Sequence, residues 1–142
     1  MKEVEIRGKT YRIGKLDAFA QMYVLKRAVP VLGQLKDIFA GYDPDEPASA
    51  EKVLPPLSRA VGELPDESLA FVCNAALDVT EIRQPGGGWA QMRRNGQLMY
   101  ADLDLLTLLT LTAHALTENL GDFFRALPSF SNEAGEAEAE TM

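Results

Sequence analysis

The 142-residue chain holds one cysteine, one histidine and one tryptophan, and aromatic residues make up 8% of it. With no intrachain partner for Cys73, the fold must stand without disulfides, and a reducing compartment is its natural setting. A zinc site needs several Cys or His ligands at defined spacing, whereas Cys73 and His114 are far apart and each is alone. None of the five serines sits in a Gly-x-Ser-x-Gly turn. The glycine run Pro85-Gly86-Gly87-Gly88-Trp89 lacks the Gly-Lys-Ser/Thr ending of a phosphate loop and reads as a strand connection. Two prolines interrupt Asp43, Asp45 and Glu46, which also lack the glycine and final glutamate of a calcium loop. His114, among Thr112, Ala113 and Ala115, reads as a packed helix histidine rather than a general base. The expectation is a protein without catalytic residues, cofactor or metal.

Long apolar runs are also missing. The most apolar segment, Leu103 to Leu116, contains Asp104, three threonines and His114. It falls short of the roughly 20 apolar residues that a membrane helix needs. The opening Met1-Lys2-Glu3-Val4-Glu5-Ile6 alternates apolar with charged residues and has none of the basic start and apolar core of a secretory signal. Basic residues are scarce toward the C-terminus: residues 95–142 hold Arg125 against eight acids, and residues 1–94 hold 13 Lys+Arg against 13 Asp+Glu. The net charge of −7 thus resides in the last third, where it repels phosphate and anionic membrane and favours protein partners or plain solubility. Residues 1–27 carry seven Lys+Arg against three acids, but no recognised nucleic-acid motif is present.

What is present fits one domain, spanning 1–128, followed by an acidic disordered tail, 129–142, rich in Glu, Ala and Ser. Val4, Ile6, Tyr11 and Ile13 alternate with charged residues on either side of Arg7-Gly8-Lys9, the pattern of a two-stranded hairpin. Asp17 can cap a helix with Leu16, Phe19, Ala20, Tyr23 and Val24 on its inner face. Pro30 stops that helix near Ala28, and Val31, Leu32, Leu35, Ile38 and Phe39 mark a restart beyond the kink. Residues 41–47 are turn chemistry. Pro55-Pro56 open a short helix carrying Leu57, Ala60 and Val61, closed by Gly62 and Pro65. Asp66-Glu67 begin the next, whose apolar face is Leu69, Val72, Cys73, Ala76 and Leu77. Val79 to Gln84 favours a strand, and Trp89–Arg93 with Gln97–Tyr100 flank Asn95-Gly96 as a second hairpin. Asp102 or Asp104 caps the longest helix. Its stripe, Leu105, Leu108, Leu109, Leu116, Leu120, Phe123, Phe124 and Leu127, is wide enough for a central helix or one shared with a partner. Gly121 is a point where it can kink, and Pro128 ends it. The fold class is α+β, predominantly helical, with four or five helices and two small antiparallel β-units.

The partner-binding candidates are the apolar groups that look exposed. These are Trp89, Met92, Leu98 and Met99 on the second hairpin, and Phe123, Phe124 and Phe130 near the end of the last helix. Aromatics and methionine are enriched where proteins meet. Phe123 and Phe124 are adjacent and point about 100° apart, so a core on one side cannot enclose both.

The segments Gly8-Lys9-Thr10-Tyr11-Arg12-Ile13-Gly14-Lys15-Leu16, Leu64-Pro65-Asp66-Glu67, Gly86-Gly87-Gly88-Trp89-Ala90, Leu98-Met99-Tyr100-Ala101-Asp102 and Glu118-Asn119-Leu120-Gly121-Asp122-Phe123-Phe124 resemble the tail assembly chaperones of tailed bacteriophages and prophages. The resemblance covers most of the chain up to Pro128. It implies a protein of the bacterial cytoplasm that coats the helical tape-measure protein, keeps it soluble, and leaves as tail tube subunits assemble. The implied partners are the tape-measure protein and the tail tube protein, with neither nucleic acid nor membrane; a homo-oligomer is compatible with the same pattern. Two rival readings are a structural tail or baseplate component retained in the virion, and a small enzyme with an unrecognised site.

Overall fold

The computed structural model describes residues 1–31, 33, 34, 37 and 49–126, with the side chains of 49–53 and 124–126 left aside. Strands β1 (Lys2–Ile6) and β2 (Lys9–Ile13) form the expected hairpin, with Ile6 opposite Lys9. Arg7 and Gly8 take φ of 52° and 81° at its tip, the left-handed pair a two-residue turn requires. Asp17 caps α1 (Ala18–Ala28) by accepting from the Ala20 N–H at 2.8 Å. A 3₁₀ turn, Val29–Val31, contains Pro30 and ends it. Gly33, Gln34 and Asp37 are helical, as a restart requires; the rest of that stretch and the 41–47 turn lie outside the described residues.

Helix α2 runs Ser49–Glu63 straight through Pro55 and Pro56, which the sequence reading placed at its start. Proline's φ suits a helix, and the turns after the two missing donors are held by Leu57 and Ala60, both buried in the core. Gly62 lies inside the helix rather than closing it. Helix α3 (Asp66–Asp78) carries Asp66 and Glu67 in its first turn and buries Val72, Cys73, Ala76 and Leu77, the face expected from spacing.

The chain then enters β3 (Thr80–Arg83), β4 (Trp89–Gln91), β5 (Arg93–Arg94) and β6 (Gln97–Leu98). The two β-units are not the two hairpins read from sequence. The first hairpin, β3 and β4 make one antiparallel sheet in the order β1-β2-β3-β4, and β5 with β6 forms a two-stranded ribbon turning at Asn95-Gly96. Trp89 therefore pairs with Arg83 rather than across the Asn-Gly turn. The inner row Val4, Tyr11, Ile82, Ala90 crosses the sheet in register.

Helix α4 (Leu105–Ala126) is the central element. Ala113, Leu116 and Leu120 enter a helical core with Val24, Val31, Leu57 and Val72. Leu111 and Ala115 enter a second core under the sheet with Ile13, Leu77, Ile82 and Met92. Thr110 and Thr112 are buried with their hydroxyls satisfied, each donating to the carbonyl four residues back, and the partly buried Thr117 does the same. Leu105, read as part of the inner stripe, is 68% exposed; Leu111 fills that role at 0%. The helix passes through Gly121 unbroken. No described helix is long and apolar enough to cross a membrane.

Candidate protein-binding surface

The residues singled out as exposed do not form one patch. Met92 is 1% exposed and belongs to the core under the sheet, which corrects its place among the surface candidates. It sits where β4 gives way to β5, its N–H donating to the Thr80 carbonyl at 3.0 Å and its own carbonyl accepting from Met99 at 2.9 Å. Those two bonds hold the backbone so that the side chain enters the core. Trp89 is half-buried, with the Arg12 guanidinium 4.5 Å from its ring centroid; the same guanidinium donates to Glu81 at 2.7 Å. Leu98 and Met99 are exposed on the ribbon, and so is Phe123 near the other end of α4. At 1.5 Å per residue the first and last turns of that 22-residue helix lie roughly 30 Å apart, so ribbon and Phe123 belong to separate surfaces. The Phe124 side chain and the whole of Phe130 fall outside the described residues.

Asn119 determines what Phe123 stands beside. Its carboxamide oxygen accepts from the Leu16 N–H at 2.6 Å and from Gln21 at 3.3 Å, and its nitrogen donates to the carbonyls of Gly14 at 3.2 Å and Ala115 at 2.9 Å. Lys15 adds an ion pair to Asp122 at 3.6 Å and a bond to the Glu118 carbonyl. The last turns of α4 are thereby fixed against the start of α1.

On α1 the sequence reading misassigned two residues. Phe19 and Tyr23, expected inside, are 69% and 48% exposed, while Val24 and Ala28 face the core. Helix α1 has apolar residues on two sides, with Ala20, Val24 and Ala28 on one and Phe19, Met22 and Tyr23 on the other. The small set allows the close approach to Val72 and Ala75 of α3 that this packing needs. The outer set is a surface that sequence reasoning missed. Its signal was the doubled stripe, which spacing alone cannot resolve into inside and outside.

A cleft of about 250 Å³ lies between the β1–β2 turn and the start of α4, floored by Ile6, Ile82 and Met92. Arg7 pairs with Asp104 at 3.3 Å and Lys9 with Asp102 at 3.8 Å across its mouth. Asp104 also caps α4: a hydrogen bond from the Thr107 side chain, aided by Arg7, holds its carboxyl below the usual carboxylate value. Burial, reinforced by Asp104 and Asp102, pushes the Tyr11 phenol up and keeps it protonated. The cleft lining holds no histidine, cysteine or serine, and its charges cancel in pairs. His114, pushed down to about 4 by burial and by the charge of Lys2, is neutral and weakly basic at physiological pH. Among the described residues no cluster of three or more His, Cys, Asp or Glu could hold a metal ion.

The body is α+β, with exposed apolar side chains on the ribbon and near the C-terminal end of α4, and a cleft whose charges pair with one another. The chain belongs to the phage tail assembly chaperone family: residues 7–132 match the family described as phage tail assembly chaperone protein, TAC. That family works with protein partners in tail assembly. Comparison with curated proteins and with solved structures gave no match.

Proposed function

We propose that this chain binds the tape-measure protein during tail assembly and keeps its helices soluble until the tail tube forms around them. The family match over residues 7–132 carries this reading. Two features support it. Leu98 and Met99 at one end of α4, and Phe123 at the other, offer apolar contacts of the kind a helix-binding protein uses. The net charge of −7 gives a complex with an apolar client a repulsive surface that opposes aggregation. Trp89, Leu98, Phe123 and Phe124 are the contact residues assigned to this role. The tail tube protein is the partner that displaces the chaperone, in the host cytoplasm where tails are assembled.

Co-expression tests this directly. The tape-measure protein made alone should sediment with aggregates, and made with this chain it should remain in the supernatant and co-purify. Purified tails should lack the chain. An equally insoluble tape-measure protein in the presence of abundant chain would refute the holdase role, and stoichiometric retention in finished particles would make the chain a structural tail component instead.

A further inference from the structure

We infer that the outer face of α1 is a docking surface for an amphipathic helix with acidic flanks; naming the tape-measure protein as the source of that helix rests on the function proposed above. Phe19, Met22 and Tyr23 occupy positions i, i+3 and i+4 on one side of α1, at 69%, 51% and 48% exposure, and Val29 continues past its end at 54%. Three large exposed apolar side chains, Phe19, Met22 and Tyr23, on one side of so short a helix are unlike singly scattered surface apolar residues. Spacing of this kind receives another helix, whose own i, i+3/i+4, i+7 residues lie along the strip.

Charge decides which helix. Lys26 lies at i+7 from Phe19, directly on the strip, and is exposed with no ion pair among the described residues. Arg27 beside it is exposed, its guanidinium 5.2 Å from the Phe71 ring centroid. In a chain of net charge −7, this helix has Lys26 and Arg27 in its last turn and no acid in its first. A partner with glutamate or aspartate flanking its apolar stripe gains complementary pairing and faster encounter.

The test titrates the full chain with a synthetic amphipathic helical peptide bearing leucine at i, i+3, i+4 and i+7 and glutamate on both flanks. A matched peptide with lysine flanks and the co-expressed tape-measure protein are run in parallel. The glutamate peptide should bind wild type, and Phe19→Ser with Tyr23→Ser should weaken it by roughly tenfold or more with the melting temperature kept, since both side chains are exposed. Lys26→Glu should shift the preference toward the lysine-flanked peptide. Wild type that binds the peptide but fails to retain the tape-measure protein supports the surface and sinks the proposed client. Equal binding of the glutamate peptide by wild type and by the folded Phe19→Ser/Tyr23→Ser variant overturns the surface, as does no binding by wild type. So does a dimer that those substitutions dissolve, or a roughly tenfold gain in peptide affinity on removal of the chain's own acidic residues 129–142.

Discussion

Replacing Asn119 by leucine removes four hydrogen bonds from the joint between α4 and the start of α1 while keeping the number and branching of side-chain heavy atoms. Asn119 is 6% exposed, so water cannot easily take over. The Ala115 carbonyl keeps its place in the helical ladder and Gln21 can turn outward. The Leu16 N–H and the Gly14 carbonyl lose their partner atoms at 2.6 Å and 3.2 Å. A stranded interior backbone group costs about 1–3 kcal/mol, so the two together give about 3 kcal/mol once the extra apolar surface of leucine is set against them. That is a large part of the ~5–15 kcal/mol by which domains are stable, and for a chain of this size it lowers Tm by about 10 °C. Urea unfolding followed by circular dichroism measures it, with hydrogen exchange at the Leu16 amide as the local reporter. Asn119→Asp keeps the acceptor for Leu16 but turns a buried carboxylate oxygen toward the Gly14 and Ala115 carbonyls, and should cost at least as much at neutral pH. A loss below about 1 kcal/mol with unchanged protection at Leu16 would show that the joint does not depend on this side chain.

Further outcomes follow from burial and charge. Because burial and Lys2 push His114 down to about 4 from an ordinary 6.5, the unfolded chain binds a proton that the folded chain refuses between those values. Stability should fall by ~3 kcal/mol as the pH drops from 7 to 4, and His114→Gln should flatten that part of the pH–stability curve; an identical slope in both proteins would refute the assignment. Leu111→Ala, at a side chain 0% exposed, should cost about 2–5 kcal/mol in the same urea assay, whereas Leu105→Ala should cost less than about 0.5. Cys73 is buried and its thiol is pushed up by burial, so a bulky thiol reagent should label it only in denaturant; rapid stoichiometric labelling of the native chain would place it at the surface. Gly8→Ala, at φ of 81°, should lose about 1 kcal/mol through backbone strain alone, since a Cβ there meets no neighbouring atom.

Local rules made much of this protein legible in its sequence. Asp17 as a helix cap, glycine at the two hairpin tips, the stop at Pro30 and the buried face around Cys73 each depend on residues within a turn or two of one another. The family likeness was also carried by short runs of sequence, and the match over residues 7–132 bears it out. What failed depended on distant partners. Tyr11 pairs with Ile82 across about seventy residues of chain, and no periodicity within either strand announces that register. Met92 looked like a surface methionine until two backbone bonds, to Thr80 and from Met99, turned it inward. Phe19 and Tyr23 satisfied the helical spacing of an inner face as well as Val24 and Ala28 did. The choice fell to α3, against whose Val72 and Ala75 Val24 and Ala28 pack, and the larger residues were left outside. Spacing determines that a helix has a face; the shape of the neighbour that covers it determines which face that is.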